Sequence, residues 1–234
     1  MSKILSIETS TEICSVSISD NGNLIDLIID NTLLEGGNAH GQHSKLLAVL
    51  INQLLNNNNI KQSDIIAVAI SEGPGSYTGL RIGVSTAKGI CFGNNIPLIT
   101  INTLNLIALM AQKNSNNEYD LVIPMLDARR MEVYYSVYDN ELNEVNETKA
   151  LVIDENSFAE YRGKSILFCG NGSSKCKDVL AGLNADFDVD SYPSAEFMTE
   201  IANSCYKNED FADLVYFEPF YLKSFIATTP KKLL

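Results

Sequence analysis

Apolar and polar residues are arranged along this chain in a way that predicts an α/β order from the start. Lys3–Glu8 carries a short apolar run of the kind that forms a buried strand. Cys14, Val16 and Ile18 then alternate with Ser15, Ser17 and Ser19, the period-two pattern of a half-covered strand. Asp20-Asn21-Gly22-Asn23 supplies hairpin-turn chemistry, and Leu24–Asp30 returns as a third strand. Beyond it the pattern predicts a helix near Ser44–Leu55, a break at the asparagines 56–59, and a strand over Ile65–Ile70. A helix over 78–92, a strand over Pro97–Ile101 and a helix from about Thr103 follow. The helix near 44–55 carries Leu46, Leu47, Leu50, Ile51, Leu54 and Leu55, an apolar face wider than a sheet needs to cover, with core packing expected for most of it.

A weak repeat relates the two halves. At an offset of 119 residues, Ile4–Ile7 lies over Ile123–Leu126, Glu8 over Asp127, Val16 and Ile18 over Tyr135 and Val137, and Asp20-Asn21 over Asp139-Asn140. Each half thus starts with a strand ending in a carboxylate, then a hairpin strand, then an Asp-Asn turn. Two related α/β halves are expected rather than one doubly wound sheet. The division falls in the polar stretch 112–118, giving an N-terminal unit over 1–111 and a smaller C-terminal unit over 112–234.

The densest local signal is Ser71–Gly89, SEGPGSYTGLRIGVSTAKG. Gly73, Pro74 and Gly75 force a tight turn after the strand, and Ser76 or Thr78 can cap the helix that follows. Gly79, Gly83 and Ala87 recur every four residues on one face, and each mid-helix glycine costs about 1 kcal/mol relative to alanine. Such a stripe fits a phosphate-cradling loop, a helix-packing interface, or a tight strand-to-helix connection. Neither GxxxxGK[ST] nor GxGxxG can be aligned on it: the required positions hold Thr78 or Leu80, and Gly79 comes one residue late.

Charge narrows the partners. The chain has 234 residues and a net charge of −12, with 5 basic and 8 acidic side chains in residues 1–111 and 12 and 21 in residues 112–234. Neither half is a basic platform, so any work on nucleic acid is expected to rely on another protein for most of the grip. Hydrophobic content of 45% is that of an ordinary globular chain. The opening residues lack a secretory pattern and no apolar run reaches membrane-spanning length, so no membrane association is expected. The five cysteines form no CxxC pair and read as reduced thiols of a cytoplasmic protein.

No catalytic set assembles from the remaining motifs. His40 and His43 are the sole histidines, in HxxH spacing, without the further ligands a metal site needs; His43-Ser44 reads as a helix start. Glu8-Thr9-Ser10-Thr11 ends the first strand, where open α/β sheets place ligands. Asp127-Ala128-Arg129-Arg130 ends its counterpart, as an anion site or a surface salt-bridge patch. Gly170-Asn171-Gly172-Ser173 after the strand Ser165–Cys169 reads as a turn. No G-x-S-x-G elbow is present.

Five segments together resemble one family: ILSIETSTEICSVSI at 4–18, HSKLL at 43–47, SEGPGSYTGLRIGVSTAKGI at 71–90, LDARRMEVYYSVYD at 126–139 and PFYLK at 219–223. They are similar, in order and over nearly the whole chain, to the TsaB (YeaZ) family of threonylcarbamoyladenosine synthesis on tRNA. The GPGSYTGLR string is specific, whereas ILSIETS is shared with the paralogous TsaD family. The resemblance implies an α/β fold of two actin-like ATPase (ASKHA, ribonuclease H-like) subdomains, each a mixed sheet with flanking helices. It also implies a role without catalysis: TsaC makes threonylcarbamoyl-AMP, TsaD transfers the group to the adenosine beside the anticodon, TsaE supplies ATPase activity, and TsaB binds TsaD and holds it active. TsaD-like proteins carry an HxxxH metal pair where this chain has Thr103 and Ile107, and neither residue is an equivalent ligand. One departure from the family pattern is Lys45, where glutamate is commoner.

The partner or dimer face implied by the resemblance comprises Ser44, Leu47, Leu50, Ile51, Thr78, Gly79, Ile82, Gly83, Thr86, Ala87 and Ile90. It is expected to take a TsaD-like paralogue, with a TsaE-like ATPase in the full assembly, and a second copy of the chain when alone, burying about 1,600 Å² in total. On this expectation Gly83→Arg abolishes partner binding and leaves the monomer folded. Glu8, Thr9, Ser10, Gly73, Gly75 and Ser76 are expected to be vestigial phosphate loops. No metal or tightly bound cofactor is expected, with room for a nucleotide at the TsaD interface, and tRNA is contacted mainly through the complex. The alternative is a small-molecule kinase or nucleotide hydrolase of the same superfamily, against which Glu8-Thr9-Ser10-Thr11 lacks the glycine of a D-x-G phosphate turn. A metalloprotease would need a tightly bound metal.

Overall fold

The computed structural model describes residues 2–30 and 42–222. Two five-stranded mixed sheets organise them. The first runs in the order β3 (Asn23–Asp30), β2 (Cys14–Asp20), β1 (Lys3–Glu8), β4 (Ile65–Gly73), β5 (Leu98–Asn102). The second runs β8 (Glu144–Val152), β7 (Glu132–Asp139), β6 (Leu121–Asp127), β9 (Ile166–Cys169), β10 (Ala185–Asp188). In both, the first three strands form an antiparallel meander and the last two add in parallel. The repeat read at an offset of 119 is therefore a repeat of topology: β6 stands where β1 does, and Asp127 where Glu8 does.

Residue size on the two faces of the first sheet decides what covers each. Leu5, Ile7, Val68, Ile70 and Leu98 point to one side, where α1 (Gln42–Asn57) and α2 (Tyr77–Asn94) bury them. Ile4, Ala67, Ala69 and Ile99 point to the other, and the alanines of β4 admit close helices there. Those helices are α3 (Thr103–Asn114), through Leu106, and α4 (Met198–Lys207), through Met198 and Ala202. The opposite flank of α3 (Leu104, Ile107, Ala108, Ala111) packs on Val122, Leu126 and Leu167 of the second sheet, so one helix serves both cores. The remaining face of that sheet closes over Tyr135, Phe158 and Phe168, whose rings meet at 5.1 and 5.4 Å.

The C-terminal course crosses back over the first sheet, a path no periodicity in the sequence announces. Ala212 N–H donates to the Leu98 carbonyl at 2.9 Å and Phe220 N–H to the Glu72 carbonyl at 2.7 Å. Lys88 Nζ on α2 donates to the carbonyls of Val215 and Phe217 at 3.2 and 3.0 Å. Tyr221 lies 5.0 Å from the ring of Tyr77, over which Arg81 sits. Residues after 197 thus supply cover for the N-terminal unit. All five cysteines are free, four of them buried. Among the described residues no helix is long and apolar enough to cross a membrane.

Candidate functional site

The ends of β1 and β4 meet at a closed junction. Glu8 is fully buried, and its carboxylate accepts from Ser10 N–H and from Ser71 Oγ, each at 2.5 Å. Burial pushes its carboxyl above the ordinary 4.5, outweighing those two hydrogen bonds, which act the other way. Thr9 Oγ1 donates to the Gly79 carbonyl at 2.9 Å, and Ser76 N–H donates to the Ser10 carbonyl at 2.6 Å. Ser76 also caps α2, accepting from Gly79 N–H at 3.2 Å. The structure therefore brings Glu8, Thr9, Ser10, Gly75 and Ser76 together, with Gly73 at φ 116° turning the chain into the loop. The amides of Ser10, Ser76 and Gly79 that a phosphate would need all have partners within the chain.

This junction also accounts for the glycine stripe. A methyl group at Gly79 would overlap the Thr9 carbonyl oxygen, one at Gly83 the Thr9 hydroxyl, and one at Gly75 the Ser10 carbonyl oxygen. Gly79, Gly83 and Ala87 are buried against their own chain. Leu47, Leu50 and Ile51 are buried in the same core. The expected folded monomer of Gly83→Arg is at odds with this packing, because the new side chain would have to displace Thr9 and Ile70. Ser44 and Thr78 are exposed, and Ile82, Thr86 and Ile90 half-exposed.

What α1 and α2 present outward is a different, neighbouring set. Val49 is 56% and Phe92 83% exposed, beside exposed Ala48, Ser85 and Gly89. A Cβ at Gly89 or Gly93 would meet nothing within 4 Å. Ile51, Leu55, Thr86 and Ile90 line a groove of about 170 Å³ between the helices. A wheel drawn on 3.6 residues per turn could have separated Gly83 from Gly89, which lie on different faces of α2.

The second junction repeats the first in backbone and departs from it in side chains. Gly172 N–H donates to the Met125 carbonyl at 2.9 Å, and added methyl groups at Gly170 and Gly172 would press on the backbone of Met125 and Leu126 at 2.6 and 2.8 Å. Asp127, however, is exposed and ion-paired with Lys175, whose ammonium also donates to the Glu132 carbonyl at 2.6 Å. The turn from β6 to β7 holds Arg129 and Arg130 at φ 73° and 51°, a left-handed pair that costs about 1–2 kcal/mol per non-glycine residue. Both arginines are exposed.

Thr103 and Ile107 lie at the start of α3 with no exposure, Ile107 against Gly170. Among the described residues no group of three His, Cys, Asp or Glu is placed to hold a metal. His40 lies outside the described residues. His43, in the first turn of α1, has its Nε2 3.3 Å from the Glu12 carbonyl, a contact that ties the helix start to the β1–β2 loop.

Two sheets of one topology, wedged by a shared helix and each closed by a glycine turn against a carboxylate-ended strand, define an α/β protein of paired mixed sheets. A family model described as "TsaD: tRNA N6-adenosine threonylcarbamoyltransferase" matches residues 36–231, and the chain belongs to that family. Its relatives include the "tRNA threonylcarbamoyladenosine biosynthesis protein TsaB" of Escherichia coli K12, 29% identical over 96% of each chain. The protein of the same description from Haemophilus influenzae is 27% identical over 98% of this chain and 96% of its own. The solved structure "YeaZ from Pseudomonas aeruginosa" superposes with a TM-score of 0.81 at 23% identity, covering 95% of this chain and all of that one. The TsaB resemblance and the α/β fold of two mixed sheets with flanking helices read from the sequence are both borne out.

Proposed function

We propose that this chain is the accessory, non-catalytic partner of a TsaD-type transferase in making threonylcarbamoyladenosine on tRNA. The observation that carries the reading is the pairing of full-length similarity to TsaB-named relatives with a buried Thr103 and Ile107, neither a metal ligand of the histidine kind, at the start of α3. The first junction supports it from another side. The Ser10, Ser76 and Gly79 amides are taken within the chain and the space at Gly75, Gly79 and Gly83 is filled by Ser10 and Thr9, which weighs against a phosphate cradle there of the kind a kinase or nucleotide hydrolase of this fold needs. The partner surface in this reading is the outward side of α1 and α2 around Thr78, Ile82, Thr86, Gly89 and Ile90, with the chain pairing with itself through the same face when alone. A TsaE-like ATPase joins the assembly, any nucleotide sits against the TsaD-like subunit, and the complex works in the cytoplasm.

Reconstitution tests the reading. The TsaD-like paralogue of the same organism, given unmodified tRNA and threonylcarbamoyl-AMP, is expected to modify adenosine with this chain and to fail without it. Transfer by this chain alone, or ATP hydrolysis by it alone at enzymatic rates, would overturn the assignment.

A further inference from the structure

The turn between β6 and β7 has an unusual occupant. Backbone positions at positive φ favour Gly, Asn or Asp, because longer side chains strain there. Here the positions are Arg129 and Arg130, two of the four arginines in the chain. The turn is firmly built. Ala128 N–H donates to the Glu132 carbonyl at 3.0 Å, Glu132 N–H to the Arg129 carbonyl at 3.1 Å, and Ile153 N–H to the Met131 carbonyl at 2.8 Å. Arg129 N–H donates to Asp127 Oδ1 at 3.0 Å, and Asp127 N–H to Asn171 Oδ1 at 3.0 Å. Lys175 neutralises the Asp127 carboxylate, so the nearest acid in sequence is taken by another cation. The ion pairs of the described residues are Lys113–Glu200, Lys149–Glu147 and Lys175–Asp127; neither arginine belongs to one. The salt-bridge patch that the sequence allowed is thus built by Lys175, and the arginines stand outside it.

We propose that the Arg129–Arg130 turn is a contact point for the phosphodiester backbone of RNA, taking tRNA phosphates on its two guanidinium forks. Planar guanidinium binds phosphate oxygens in pairs and sheds water more readily than ammonium, which suits a fixed turn. A chain of net charge −12 repels RNA as a whole, so a local cationic tip gives register where the general field gives none. The proposal rests on the reading of the chain as part of a tRNA-modifying complex.

The test uses the assembled complex with the TsaD-like paralogue and measures tRNA affinity across a salt series. Arg129→Ala/Arg130→Ala is expected to bind about tenfold more weakly and to lower the slope of log K against log salt by about 1–2. A second variant, Arg129→Asn/Arg130→Gly, puts residues that tolerate positive φ at both positions: it is expected to raise Tm by about 2–4 °C while losing the same affinity. That opposition separates a ligand contact from a structural role. An intact complex with unchanged affinity and salt slope in both variants would overturn the proposal and leave the partner reading standing. Loss of the complex with RNA binding unchanged would put the arginines on a protein surface and overturn it as well. Failure of the native chain to join the paralogue would overturn the partner reading, and the proposal with it.

Discussion

The two junctions share a backbone plan and use their carboxylates in opposite ways. Glu8 is sealed, meets no cation among its hydrogen-bond partners and is held by Ser10 and Ser71; Asp127 is exposed and paired with Lys175. Thr9 fills the first junction from within, pressing on Gly79 and Gly83, whereas the second turns Arg129 and Arg130 outward. A repeated fold therefore keeps the glycine closures, which geometry demands, and is free to change the side chains around them. The first junction has become core and the second surface.

Substitution at the closures breaks this comparison most severely. Gly79→Ala drives a methyl group into the Thr9 carbonyl and is expected to cost about 3 kcal/mol or more, measured by urea unfolding. Gly172→Ala is expected to cost a similar amount against the backbone of Leu126. Gly89→Ala, on the open side of the same helix as Gly79, is expected to gain up to about 1 kcal/mol. Equal effects at Gly79 and Gly89 would mean that the Thr9 contact is absent in solution.

The carboxylates sharpen it next. Glu8→Ala leaves Ser10 N–H and the Ser71 hydroxyl buried without their acceptor and is expected to cost about 2 kcal/mol. Asp127→Ala removes a half-exposed ion pair and is expected to cost less than about 1 kcal/mol. The smallest effect is one of pH. Because the folded carboxyl of Glu8 lies above its unfolded value, its protonated form stabilises the fold below about pH 4.5, and that contribution is lost as pH rises through the folded value. Glu8→Gln, which keeps both hydrogen-bonding positions and cannot ionise, is expected to flatten this part of the stability profile. A profile unchanged by Glu8→Gln would place the titration elsewhere.

Much of this was legible in the sequence, and the failures have physical causes. Period-two alternation over Cys14–Asp20 and the strand, turn and helix signals through Ser71–Asn94 gave elements close to their observed bounds, and the repeat anticipated two sheets of one order. β8 escaped because Glu144–Val152 is an exposed edge strand with little apolar alternation to betray it. The strap over β5 and α2 is held by main-chain hydrogen bonds and lysine-to-carbonyl contacts, which leave no periodic mark. The glycine stripe was seen, yet its direction was not: a sequence shows that something approaches Gly79 and Gly83 closely, and only the fold shows that it is Thr9.

The outward side of α2 carries the central claim, and Gly89 is the position that tests it. Gly89→Arg has open space for its side chain and is expected to melt at or slightly above the temperature of the native chain. The native chain and Gly89→Arg should each be mixed with the TsaD-like paralogue and sized by chromatography with light scattering. The account predicts a stable complex for the native chain and none for the variant. A complex of equal stability with Gly89→Arg, or none with the native chain, would contradict it.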